Sequence, residues 1–250
     1  MNLTSPSTIR GLCEKLGCVP DKALGQNFLI DRNILNIILD AASINSDDQV
    51  LEIGPGMGVL TAEIAGHCRR LWAVEKDRRL AGHLKEYFGD RKNVTIIEDD
   101  FLDLPQEAYG GDALTAMVSN LPFSVGSRIL MELFCRPMIV PAMTVTVQYE
   151  VAQRLAAGSG DSSRGLLGVM AQSVYGIKIV RKIGPNCFYP RPVIDSAIVH
   201  MAAHKGEMPS HATRLRLLAI AKHSFSLRRR VRRFIPRRSP PISPLPPVRC

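Results

Sequence analysis

No uninterrupted apolar run in the 250 residues approaches the roughly 20 that a membrane-spanning helix needs. A membrane partner is therefore excluded from the reading. The six cysteines, at positions 13, 18, 68, 135, 187 and 250, include no C-x-x-C pair, and their intervals are irregular. That argues against a zinc site and against a disulfide framework. We expect reduced thiols, no metal and a cytoplasmic setting. The first ten residues show neither an apolar signal core nor an Arg-rich amphipathic pattern, so no export or import signal is read there. No internal repeat is present.

Acidic residues are nearly missing from the last 46 positions. Glu207 stands alone there against 12 Lys and Arg, a net charge of +11, whereas residues 1–204 carry 20 basic and 22 acidic side chains. A basic segment of this density can neutralise phosphates and release counterions, the main electrostatic contribution to nucleic-acid binding. A solvated tail fits the charge equally well.

Apolar residues make up 46 % of the chain and charged residues 22 %, ordinary for a globular protein. The length suits one α/β core with a small appendage. Short apolar runs at 50–53, 71–74, 94–97, 113–118 and 144–148 read as buried strands. Helical patterns at 33–42, 60–65, 78–87 and 128–134 accompany them. Such alternation predicts a mostly parallel sheet covered on both faces. Runs at 174–183 and 197–201 are joined by a linker too short for a helical crossover. They are expected to pair antiparallel at one edge. Residues 215–225 predict a last helix. The final 15 residues contain six prolines and no periodic apolar face, so an extended or disordered tail is expected.

Four short motifs carry chemistry. Leu51-Glu52-Ile53-Gly54-Pro55-Gly56-Met57-Gly58 stands where the first strand turns into a helix. Glycines let a ligand approach the main chain closely, and new helix N–H groups suit an anion. The plain alternative is a tight structural turn. Glu75 lies 21 residues after Gly54, where an acid can accept hydrogen bonds from both ribose hydroxyls of a nucleoside. The dinucleotide fingerprint G-x-G-x-x-G competes for these features, but here the third glycine comes one residue early and position 59 is Val. A nucleoside without phosphate, S-adenosylmethionine, does not need that pyrophosphate cradle. Asp99-Asp100 after the third strand could accept from an adenine amine; Asp100 is preferred, with Asp99 its close competitor and a solvated turn equally compatible.

Asn120-Leu121-Pro122-Phe123 is the most specific motif. The amine of adenine is a poor nucleophile because its lone pair is conjugated into the ring. The Asn120 side-chain carbonyl and the Leu121 main-chain carbonyl can each accept one of its N–H groups, and Phe123 can stack on the base. In isolation, a simple turn after a strand explains the same residues.

Taken together, the motifs resemble the ribosomal RNA adenine dimethyltransferases, most closely the small-subunit (16S) branch. The resemblance runs from Leu24-Gly25-Gln26-Asn27-Phe28-Leu29 through Glu52 to Gly58, Glu75, Asp100 and Asn120 to Phe123. It continues in Gln148-Tyr149-Glu150-Val151-Ala152-Gln153-Arg154 and in Phe188-Tyr189-Pro190-Arg191-Pro192-Val193-Ile194-Asp195-Ser196-Ala197. It implies a Rossmann-like methyltransferase domain over 1–205, with an N-terminal segment lying over the cofactor. It implies S-adenosylmethionine contacts from Asn27, Leu29, Gly54, Gly56, Glu75, Asp100 and Asn120. Asn120, Leu121, Pro122 and Phe123 then form the catalytic loop. The implied reaction is dimethylation of two adjacent adenosines near the 3′ end of small-subunit rRNA, in a pre-ribosomal particle, by a monomer.

Three departures stand out. Phe123 replaces a usual Tyr, keeping the ring and losing the hydroxyl. Residues 163–169 replace a commoner stretch, in what is read as a loop. After residues 225–229 the family continues into a small helical domain, whereas this chain becomes Arg/Pro-rich. That domain is therefore expected to be largely missing, leaving a basic helical remnant at 206–235 and a Pro-rich tail at 236–250. An rRNA-binding assembly factor with impaired turnover, or a large-subunit rRNA adenine methyltransferase, are the competing readings.

Overall fold

The computed structural model describes residues 3–17, 20 and 24–234, with side chains up to residue 226. The predicted Pro-rich tail and the side chains of the arginine cluster at 228–233 lie outside the described residues.

A seven-stranded sheet organises the molecule. β2 (Gln49–Ile53), β3 (Arg70–Glu75), β4 (Val94–Glu98), β5 (Ala116–Asn120) and β6 (Ala142–Gln148) run parallel. β9 (Ser196–Ala203) pairs antiparallel with both β6 and β7 (Tyr175–Ile183), giving the order β4-β3-β2-β5-β6-β9-β7. The parallel sheet and its antiparallel edge are as the sequence predicts. The fourth strand is shifted from the expected 113–118: residues 111–113 form a 3-10 turn and pairing begins at Ala116. The positive φ of Gly110 and Gly111 turns the chain there, which the apolar run conceals.

Helices cover both faces. α2 (Arg32–Ala42) and α3 (Val59–Ile64) bury Leu35, Ile38, Leu60 and Ile64 against Val50 and Val118. On the other face α5 (Gly126–Cys135), α6 (Tyr149–Ala156) and α7 (Leu166–Gln172) bury Leu130, Phe134, Leu155 and Met170 against Leu51 and Met117. Successive residues of β2 and β5 thus enter opposite cores, as period-2 side-chain alternation requires. Asp31 starts α2 by accepting from the N–H groups of Asn33 and Ile34 at 2.9 and 3.0 Å. α4 (Arg78–Phe88) begins similarly at Asp77.

Residues 163–169 are not wholly a loop, because Leu166 onward is helical in α7. Gly168 there faces the Arg154 carbonyl so closely that a Cβ would lie 2.3 Å from its oxygen. α1 (Pro6–Lys15) was not foreseen, nor was the two-stranded pair of β1 (Phe28–Leu29) with β8 (Phe188–Tyr189). The last helix, α8 (His211–Phe234), is longer than the predicted 215–225. Its buried Arg214 donates to the Phe134 and Pro137 carbonyls at 3.1 and 2.7 Å, fastening α8 to the end of α5. No helix among the described residues is long and apolar enough to cross a membrane.

Candidate active site

The strand order reverses between β2 and β5. The chain leaves β2 outward through β3 and β4, then returns to β5 on β2's other side. At such a point the loops after adjacent strands diverge and leave a crevice at the carboxyl ends. Here the two loops are the glycine turn after β2 and Asn120–Phe123 after β5. They bound a cleft of about 1120 Å³, counted out to its open mouth. Asn27, Leu29, Glu52, Gly54, Gly56, Glu75, Asp99, Asp100, Asn120, Leu121 and Pro122 all line it.

Gly54 joins the two loops. Its φ is +70°, and a Cβ there would sit 3.1 Å from the Pro122 ring. Any other residue would strain the backbone and push the loops apart. Ser119, one residue before Asn120, accepts from the Ile53 N–H at 2.9 Å and ties β5 to β2 just below.

The residues 24–29 form the third wall. Gly25 lies against the Asn120 loop and accepts from the Phe123 N–H at 3.3 Å. A Cβ on Gly25 would be 2.5 Å from the Ser124 nitrogen, so only glycine permits this approach. Leu29 is buried, and β1–β8 pairing holds its end of the segment. Gln26 donates to Asp77 at 3.2 Å.

Asn120 is oriented by this wall. Its Nδ2 donates to the Asn27 main-chain carbonyl at 2.9 Å, while its Oδ1 is buried with no hydrogen-bond partner. The reverse orientation would set two acceptors against each other, so the network selects the one observed. A buried carbonyl oxygen without a donor is costly, and this one, facing the cleft, is free to accept a ligand N–H.

Two carboxylates sit behind the glycine turn. Glu75 Oε2 accepts from the Gly56 N–H at 3.0 Å and Oε1 from the Asp77 N–H at 2.8 Å. Burial raises its pKa, and these two backbone bonds oppose the rise. The Gly58 N–H bonds the Pro55 carbonyl at 2.9 Å. The N–H groups of Gly56 and Gly58 are thus already committed within the protein rather than directed at an anion. Glu52, 1 % exposed, receives the Thr61 hydroxyl at 2.7 Å. Desolvation pushes its pKa up to about 8, against the Thr61 hydrogen bond and with help from the Glu75 charge.

At the far end, Asp100 pairs with Lys76 at 2.7 Å and accepts from the Leu102 N–H at 3.0 Å. Partial burial works to raise its pKa, but Lys76 and Leu102 prevail and the net shift is downward. Asp99 lies beside it, its N–H on the Glu75 carbonyl at 3.0 Å. Phe123 is the one predicted site residue that does not line the cleft. Its half-buried ring packs edge-on against Phe188, centroids 5.8 Å apart.

Sequence reasoning missed three supporting residues. Lys76, which holds Asp100, drew no attention in the sequence. Glu52 was read only as part of a motif; an acid inside an apolar strand was its available signal. Arg136 donates to the Phe101 carbonyl at 3.1 Å and stacks on the Phe101 ring at 4.6 Å, bracing the Asp100 turn. Nothing in its local sequence marks it.

Residues 20–233 match the family model described as ribosomal RNA adenine dimethylase. Ribosomal RNA small subunit methyltransferase A of Chlorobaculum tepidum is 40 % identical over 180 residues, which is 72 % of this chain and 64 % of that protein. The protein of the same name from Alkaliphilus metalliredigens is 35 % identical over 233 residues, covering 91 % of this chain and 81 % of its own. The chain thus spans just under two thirds of the first relative and more of the second. Among solved structures, the 23S rRNA methyltransferase ErmE superposes with a TM-score of 0.66 at 29 % identity, over 80 % of this chain and 79 % of that one. A dimethyladenosine transferase from Plasmodium falciparum gives 0.64 at 25 %, over 71 % and 63 %.

Proposed function

The chain belongs to the ribosomal RNA adenine dimethylase family, and from that premise we propose that it dimethylates the amines of two adjacent adenosines near the 3′ end of small-subunit rRNA, using S-adenosylmethionine. The observation that carries the reading is Asn120 Oδ1: buried, without a donor, and held in place through Nδ2 by Asn27.

The cleft residues fit the cofactor. Glu75 would take the ribose hydroxyls, Asp100 or its neighbour Asp99 the adenine amine, and Gly54 and Gly56 leave room for the methionine portion. Asn27 and Leu29 would close over it. The chemistry that S-adenosylmethionine brings is an activated methyl group on a sulfonium sulfur. Asn120 Oδ1 and the Leu121 carbonyl each accept one N–H of the target amine. In the first transfer, holding both hydrogens would draw the nitrogen lone pair out of conjugation; in the second, the monomethylated amine would keep one N–H for the same pair of acceptors. The amine becomes acidic as it is methylated, so no strong general base is required, and positioning supplies much of the rate. Phe123, outside the cleft lining, is assigned the face of the target base on the rim. The substrate is taken to be the rRNA within a pre-ribosomal particle, met by a monomer in the cytoplasm. The chain divides on this reading into a catalytic domain at 1–205 and a basic remnant at 206–235.

The test is incubation with unmethylated small subunits and labelled S-adenosylmethionine, followed by digestion. Dimethyladenosine at two adjacent positions is the expected product. Cofactor binding without dimethyladenosine would sink the reading. The likeness to ErmE supports a second reading, methylation of large-subunit rRNA. Label appearing on large-subunit adenosines alone would establish that instead.

A further inference from the structure

Between β8 and β9, residues 190–195 run from the β1–β8 pair to the carboxyl end of β6. The Asp195 carbonyl accepts from the Tyr149 N–H at 2.9 Å, next to the end of β6, and its carboxylate pairs with Lys182 at 2.7 Å. At the other end Tyr189 is bonded to Phe28, which lines the cleft. One end of the loop is thus tied to the active-site wall and the other to the end of β6, and Pro190 and Pro192 restrict the backbone between them.

The tip of this stiff loop is apolar and bare. Val193 is 98 % exposed and Ile194 43 %. Basic residues stand near the tip in the chain and on the neighbouring edge strand. Arg191 and Lys182 are exposed, Lys178 and Arg181 project from the same edge strand, and the Arg10 guanidinium lies 5.7 Å from the Tyr189 ring centroid. The one acid in the loop, Asp195, is already paired. Lys182 and Asp195 offset each other, so Arg191, beside the tip in the chain, adds net positive charge to it; an apolar point next to a free cation suits a polyanion whose interior is apolar, which is a nucleic-acid base stack.

We propose that Val193 and Ile194 are a wedge that enters the rRNA base stack beside the target adenosine and holds that base out toward Asn120. The proposal rests on the rRNA methylation reading above. An enzyme acting on a base amine must take the base out of its stack. Inserted apolar side chains commonly offset that unstacking, and neighbouring cations anchor the phosphates on either side. A preorganised loop loses little entropy when it does so. Val193 and Ile194 are positioning residues: they act on the RNA next to the reacting base, while Asn120 holds the amine.

The experiment uses the full chain, unmethylated small subunits and S-adenosylmethionine. Four proteins are compared: wild type, V193S with I194S, V193L with I194L, and V193S alone. Dimethyl sulfate probing reads the nucleotides flanking the target, and single-turnover methylation is measured alongside. The wild type should expose a flanking base. The serine variant should lose that exposure and methylate about tenfold more slowly, with cofactor affinity unchanged, and the leucine variant should restore both. Val193→Ser alone touches only an exposed residue and keeps the test valid should Ile194 matter for folding. Wild-type methylation without flanking exposure, or a serine variant equal to wild type, overturns the wedge and leaves the functional reading standing. A serine variant that leaves intact particles yet equals wild type on deproteinised rRNA assigns the tip to a ribosomal protein, and also overturns it. If the wild type binds cofactor but methylates no rRNA, the functional reading itself fails and the wedge falls with it.

Discussion

Asn120 shows how one side chain can be read twice. Its place after an apolar strand, followed by Leu-Pro, marks it in the sequence, but the same residues describe a turn. What distinguishes the two is the direction of the amide, set by the Asn27 carbonyl 93 positions away. Under the proposed mechanism, replacing Asn120 with Ala removes an acceptor used in the transition state. We expect kcat to fall about 10²-fold or more at saturating S-adenosylmethionine, by analogy with deletion of one preorganised hydrogen-bonding group; single-turnover methylation of small subunits measures it. Glu52 makes a different prediction. Its carboxyl is raised from an ordinary 4.5 to about 8 in the folded protein. Between those values the folded state binds more protons than the unfolded one, so stability falls as pH rises through this window and levels off above it. Glu75 shifts in the same direction. Glu52→Gln keeps an acceptor for Thr61 and removes the titration. The melting temperature of this variant should decline less than that of the wild type from pH 5 to pH 8; equal declines would refute the assignment.

Among the elements, the segment 24–29 matters most to the site and was least legible. It has only two residues of strand, and it gains its shape from partners across the fold: β8, Phe123 and Asn120. Local periodicity cannot report such contacts, and only a family resemblance drew attention to Asn27 and Leu29. Gly25 is where it presses closest on the loop after β5. Gly25→Ala should lift the segment, because the new Cβ would meet backbone that cannot turn aside. Titration calorimetry should show S-adenosylmethionine affinity reduced about tenfold or more, with the circular dichroism spectrum retained. The central strands and the helices α2, α4 and α5 were legible, since their apolar periodicity is strong and each is long enough to display it. α7 was not, because its seven residues offer barely two turns and its helical state depends on packing Gly168 against α6.

For the molecule as a whole, charge and catalysis are placed apart. Residues 1–204 are near neutral, and the excess positive charge follows residue 204. α8 carries the first part of that charge and is fastened to α5 by the buried Arg214. α5 in turn begins a few residues after Asn120. A polyanion held by the basic segment would therefore be held in a defined relation to the cleft. Deleting residues 227–250 removes eight arginines. RNA affinity should drop, and the slope of log K against log salt should become shallower as fewer counterions are released. An unchanged slope in a filter-binding series would show that this segment does not meet phosphate.

By itself the sequence determined the α/β class, the parallel sheet with its antiparallel edge, and the residues worth watching after each strand. Those follow from local periodicity and from residue types whose chemistry travels with them. Tertiary structure decided which of these residues meet. The reversal of strand order beside β2 brings Gly54 against Pro122, the Asn27 carbonyl selects the face of Asn120, and Lys76 claims Asp100. Burial is the largest influence on the titration of Glu52. Each of these depends on atoms far apart in the chain becoming neighbours in a dry interior, where distance and desolvation act and local sequence carries no record of either.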